Sequence, residues 1–196
     1  MTRKELKSLA KDQLLGKWTW AVGVTFIAFV VNLFLSWISA GFLANLIGFS
    51  VYFAFLDLVD GKYQKNVFTA TFSAFTNKRI LPTLLTSMLA YIFTFFWTLL
   101  FIIPGIVKSY SYAMSAYIVK DLSDAGKEIT ATQAIRESRK LMDGHKAELF
   151  MLDLSFIGWW LLSLLTAGIG FFWLAPYYRA TKANYYRKLA GNKFLN

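Results

Sequence analysis

Lys108 is a cation set in apolar sequence. It follows Pro104-Gly105 by about one helical turn, and no other charge occurs between Arg79 and Lys120. Ser111, Tyr112 and Ser115 follow it at i+3, i+4 and i+7, which is one face of a helix. An ionisable residue at membrane depth is a candidate for function, and a cation beside three hydroxyls suits an anionic group such as a lipid phosphate or a carboxylate. Counting about 1.5 Å per residue puts Lys108 about 6 Å below the outer end of its helix. The face then predicts a cavity open outward or to the outer leaflet. The competing expectation is a lysine that snorkels to the headgroups or caps the last carbonyls of the preceding helix.

Asp153 is a second charge inside apolar sequence. By the same count it lies about 9 Å into a helix that starts near Ala147. Measured back from the turn at Gly168, it is level with the stretch holding Arg179 and Lys182. An ion pair from Asp153 to Arg179 or Lys182 is expected, locking the last helical hairpin. A protonatable relay is the alternative. Asp57 and Asp60 lie i, i+3 at a helix end, too few ligands for a metal, and read as a solvated terminus. His145, the single histidine, has no metal partner nearby and reads as surface.

Those groups need elements to hold them. The 196 residues are 57% hydrophobic and 18% aromatic but only 16% charged. Soluble domains have about 25% charged residues. Charge is missing from Trp18 to Leu56, from Ile80 to Val107 and from Leu154 to Tyr178. A membrane-crossing helix needs roughly 20 mostly apolar residues, so each block has room for at least one. The pattern predicts an all-α membrane helix bundle with six spans, at about 18–39, 42–58, 80–103, 105–119, 147–165 and 171–187. Pro82 falls in the first turn of the third span, where a missing N–H costs little. Pro104-Gly105 separates the third span from the fourth, and Pro176 is a kink candidate in the sixth. Turns are expected at Ala40-Gly41 and at 166–170. Amphipathic helices are expected at about 2–15 and 129–143; Thr130 and Gln133 form a capping box for the second. Leu6, Leu9, Ala10 and Leu14 make an apolar stripe on the first, suited to the headgroup region. Gly23, Gly48, Ala90 and Gly158 are candidates for close helix contact.

The net charge is +10. In a soluble protein that balance would suggest nucleic acid. Here every lysine and arginine except Lys108 falls on one side of the expected spans, which is the cytoplasmic excess of a membrane protein. Both termini are therefore expected in the cytoplasm, and Asp121 to Lys146 is expected to return to water. No nucleic-acid partner is expected; membrane lipids are, with a second copy or a membrane protein as a further partner. No cysteine is present, and no Gly-x-Ser-x-Gly, phosphate-loop or His-Glu-x-x-His pattern occurs. The expectation is no enzyme, no cofactor and no metal.

Three blocks carry a family likeness: Pro104-Gly105-Ile106-Val107-Lys108-Ser109-Tyr110-Ser111-Tyr112, then Ser138-Arg139-Lys140-Leu141-Met142-Asp143-Gly144, then Asp153-Leu154-Ser155-Phe156-Ile157-Gly158-Trp159. With them the chain resembles a bacterial integral-membrane family catalogued as domain of unknown function 975. The likeness covers nearly the whole chain and implies a multi-pass protein of the bacterial cell membrane. It implies no activity. The functional expectation is a protein that binds or transports a small anionic, lipid or peptide ligand at Lys108, Ser111, Tyr112 and Ser115. The alternative is an interaction or protective protein without cargo, serving a membrane complex or guarding against a membrane-active peptide.

Overall fold

Thr2 starts the first helix. Its hydroxyl accepts the Glu5 N–H, and the Glu5 carboxylate accepts the Thr2 N–H at 2.9 Å, a reciprocal cap. In this computed structural model the backbone is described for residues 1–39, 42–75, 77–100, 102–127 and 130–195, and side chains outside 34–46, 76–79, 97–103, 128–129, 131 and 196. The described residues form helices joined by turns and loops, without a strand, so the protein is all-α. The expected Ala40-Gly41 turn lies outside the described residues.

Helix α1 (Arg3–Leu14) buries Leu6, Ala10 and Leu14, the stripe set by its 3.6-residue period. That stripe packs on protein rather than facing outward into headgroups: its neighbours are α3 (Phe42–Val59) and the last helix, α11 (Phe171–Ala190). Gln13 ties the three together, donating to the Val59 carbonyl at 3.3 Å and exchanging amide bonds with Asn184. Burial lowers the Lys7 pKa, with Arg3 and Lys11 adding to it; its ammonium donates to the Ser155 carbonyl at 2.9 Å. Gly16, at φ +72, supplies the left-handed turn into α2 (Trp18–Ser39), which leaves at 97° to α1. Trp20 is buried. Its indole donates to the Gln64 carbonyl at 2.7 Å, holding the loop that carries α4 (Val67–Thr71) against α2. Gly23 gives α4 its close approach, since a Cβ there would meet Val67 at 3.2 Å.

Helix α3 is the hub. Phe53, Phe55, Leu56 and Leu58 are sealed, and it touches α1, α2, α7 and α11. After a short 3-10 turn, α5 runs Asn77–Leu100, so Pro82 lies inside the helix rather than in its first turn. Helix α6 is Ile102–Tyr112, beginning two residues before Pro104. The expected break therefore does not fall at Pro104-Gly105, which lie inside this helix. The stretch expected as one fourth helix is divided. Helix α7 (Ser115–Asp124) starts after an interruption at Ala113-Met114. Helix α8 (Ala131–Leu141) has its Thr130–Gln133 capping box, and α9 (Lys146–Leu154) and α10 (Ile157–Leu165) follow.

One helical stretch of the described residues, Lys146–Leu165, is long and apolar enough to cross a bilayer, and only 22% of it is buried. Arg3–Leu14 with Trp18–Leu33 passes the same test only as the bent pair.

Candidate functional site

Ser138 builds the site around Lys108. Helix α8 turns Ala134, Ile135, Ser138 and Met142 inward, and Ser138 is its one buried hydroxyl among the described residues. That hydroxyl donates to the Ser111 carbonyl at 2.8 Å and accepts the Met114 N–H at 3.2 Å. The Ser111 carbonyl lies in the last turn of α6 and the Met114 N–H in the interruption before α7, where helical bonding lapses. Ser138 thus satisfies the break and fixes α8 beside α6. The polar edge of α8 then faces Lys108. Lys108, Ser111, Arg136, Arg139, Lys140, Asp143 and Lys146 line a cavity of about 380 Å³. Five of those seven are cations and one is a carboxylate. At the far edge of α8, Lys140 and then Lys193 hold the Glu137 carboxyl below its ordinary pKa; the Lys140 hydrogen bond is the larger cause.

The expected face is only half present. Lys108 and Ser111 line the cavity. Tyr112, 7% exposed, packs toward Phe93 on α5, with ring centres 6.4 Å apart. Ser115, 5% exposed, donates to the Tyr112 carbonyl at 2.8 Å. The interruption at 113–114 rotates Ser115 off the line that an unbroken helix would give. The outward-facing cavity is also replaced: its other walls come from residues 136–146, inside the basic loop.

Asp153 gathers three donors. Tyr110 on α6 donates at 3.1 Å, Tyr178 on α11 at 2.9 Å, and the Lys182 ammonium lies 3.4 Å away. Lys182 also donates to the Tyr178 hydroxyl at 2.9 Å. Arg179 does not take part. Its Nη1 is shut off from solvent and has no hydrogen-bond partner among the described residues. The reason is rotation: Tyr178 and Lys182 are one turn apart on the same face, and Arg179 is turned about 100° from Tyr178.

The densest charge cluster was read as solvated. Arg187 holds two carboxylates with a fork to each: Asp60 at 2.7 and 2.5 Å, Asp121 at 2.6 and 2.8 Å. The Tyr186 hydroxyl adds a bond to Asp121 at 2.7 Å. Beside them Lys120 bridges Asp57 at 2.5 Å and Asp124 at 2.6 Å. Asp121 is 0% and Lys120 2% exposed, so the chain does not return to water at Asp121. Nor do Asp57 and Asp60 end α3 in solvent; they bind α3 to α7 and α11. Complementary charges at the ends of three helices were the available signal. Elsewhere Glu148 pairs with Lys188, and His145 is exposed near Glu148 at 3.3 Å. No group of acids, histidines or cysteines among the described residues could hold a metal.

The model of one protein family, described as Protein of unknown function (DUF975), matches residues 1–111 and 102–193. No curated protein and no solved structure matches the chain.

Proposed function

The chain belongs to this family, Protein of unknown function (DUF975), and from that premise we propose that it is a six-span protein of the bacterial cell membrane that binds an anionic lipid headgroup in the cavity between α6 and α8. The apolar exterior supports a lipid setting. Phe26, Phe29 and Leu33 on α2, Leu85, Met88 and Phe95 on α5, and Leu161, Leu162 and Leu165 on α10 are all exposed. On each helix these residues share a face at helical spacing, and a soluble monomer rarely exposes three such apolar faces. Helix α6 has 11 residues, about 17 Å, against a hydrocarbon core of about 30 Å. It spans only jointly with α7, as a broken helix whose interruption is buried in protein, the setting in which irregular backbone is tolerated at membrane depth. The headgroup then enters beside the cationic helix α8.

The cavity carries the reading: five cations converge on one space with a single carboxylate. Like charges so close repel, and an anion between them relieves the repulsion through charge-assisted hydrogen bonds. Arg136 and Arg139, with planar guanidinium forks, suit a phosphate.

The test is native mass spectrometry of protein extracted from the membrane fraction. The wild type should retain phosphatidylglycerol, and the Lys108→Ala, Arg139→Ala double variant should retain at least about tenfold less, given about 1.5–3 kcal/mol per hydrogen bond to a charged group. Equal retention by the folded double variant, or recovery of the wild type from the soluble fraction, sinks the reading.

A further inference from the structure

A second cavity, of about 660 Å³, lies between α2, α3 and the turn into α11. It shares no residue with the α6–α8 cavity. Its walls are largely apolar, including Phe29, Leu33, Val51 and Phe172, and Arg179 stands in them. Arg179 is partly exposed as a residue, but its Nη1 is sealed and unpartnered among the described residues. A guanidinium cannot shed its charge by losing a proton as a buried lysine can. An unpaired buried charge is costly, and structures retain one where something pairs with it. Tyr117 adds a second unsatisfied atom: its hydroxyl is buried with no hydrogen-bond partner among the described residues, and the residue lies within electrostatic reach of Arg179.

The geometry points to a site for an anionic single-chain amphiphile, with its carboxylate or phosphate on Arg179 and its acyl chain along the walls from α2 and α3. Charge complementarity fixes the head, and the apolar walls fix the tail. The volume falls within the about 300–1,000 Å³ of small-molecule sites. Gly48 in α3 borders the same space, and a Cβ placed there would meet nothing within 4 Å. The position expected to give close helix contact instead leaves room. A Cβ at position 48 displaces nothing, and a larger side chain there would occupy cavity space.

The test is equilibrium binding of radiolabelled palmitate and, in a separate titration, of radiolabelled lysophosphatidylglycerol to the full-length protein in a neutral detergent, each competed by hexadecanol. Palmitate or lysophosphatidylglycerol should bind saturably, at least about tenfold tighter than hexadecanol, because the uncharged alcohol forgoes the charge-assisted bond. Palmitate alone would mark a free fatty acid as the source of the head, and lysophosphatidylglycerol alone a membrane phospholipid. Arg179→Gln should bring the acid down to the level of the alcohol, while Gly48→Leu should remove both and keep the wild-type circular dichroism. The proposal is overturned if hexadecanol matches both anions, if neither anion saturates, or if folded Arg179→Gln keeps wild-type affinity. Should Arg179→Gln not fold, undiminished palmitate binding by Gly48→Leu overturns it alone.

Discussion

Arg187 and Arg179 lie on the same helix, eight residues or about 12 Å apart, in opposite circumstances. Arg187 is gripped by two carboxylates through paired forks and also donates to the Gly191 carbonyl at 3.1 Å. Arg179 has an Nη1 sealed among apolar walls with no acceptor among the described residues. Between them Lys182 meets one carboxylate, Asp153, assisted by two tyrosine hydroxyls. The three cations form a graded series. A buried charge whose donors are met within the chain fastens helices to one another. One left unmet leaves a place for something outside the chain. Exposure alone would not separate the cases; the count of partners does.

The largest effect is expected at the satisfied end. Arg187→Met keeps the length of the side chain but strands Asp121, which has no solvent to turn to and only the Tyr186 hydroxyl left from this cluster. Removing one partner of a buried pair costs about 3–5 kcal/mol. Thermal unfolding in detergent should show a large fall in midpoint, or no folded protein. Arg187→Met combined with Asp60→Leu and Asp121→Leu should recover much of the loss, since no charge is then stranded. If Arg187→Met unfolds with the wild type, the fastening role is wrong and the contrast with Arg179 disappears.

The middle of the series should respond less. Asp153→Asn keeps an oxygen that accepts a tyrosine hydroxyl but replaces the other acceptor with an amide N–H and leaves Lys182 without its counter-charge. A hydrogen bond to a charged group contributes about 1.5–3 kcal/mol, and the loss should fall there, below that of Arg187→Met. The same unfolding measurement reads it. A loss equal to that of Arg187→Met would erase the grading, and no loss would mean that Asp153 fastens nothing.

Helices were legible in this sequence and their partners were not. The Thr130–Gln133 box and the stripe of Ala134, Ile135, Ser138 and Met142 are local, and they specify α8 without help from the rest of the chain. The unfrayed apolar runs did the same for α2, α3 and α5. The break at Ala113-Met114 carries no proline or glycine to announce it. It is held by a hydroxyl 24 residues away from Met114, Ser138, so it exists only once α8 has docked. Because that break was hidden, Ser115 was placed on the face of Lys108. Asp57, Asp60 and Asp121 were assigned to water because each stands beside other polar residues, whereas their burial is set by three helix ends meeting. Depth counted along a helix located Asp153 opposite the correct turn of α11. It could not tell Arg179 from Lys182, because depth is blind to rotation about the axis.

The smallest effect is expected at the unsatisfied end, where the sign should turn. Arg179→Met removes a guanidinium whose Nη1 has no hydrogen-bond partner among the described residues and adds an apolar side chain to apolar walls. Among the described residues no acceptor is stranded by its loss, because none was bound to that sealed Nη1. Replacing buried charge with packed apolar groups is often neutral or stabilising, so the midpoint should hold or rise by the equivalent of about 1 kcal/mol in protein stripped of lipid. With an anionic amphiphile bound, the wild type gains stability in proportion to ligand concentration over its dissociation constant, and Arg179→Met gains little. The ranking of the two proteins should therefore cross as palmitate is added. A fall in midpoint as large as that of Arg187→Met, in the absence of ligand, would mean that Arg179 also fastens the fold and that two arginines on one helix do the same job after all.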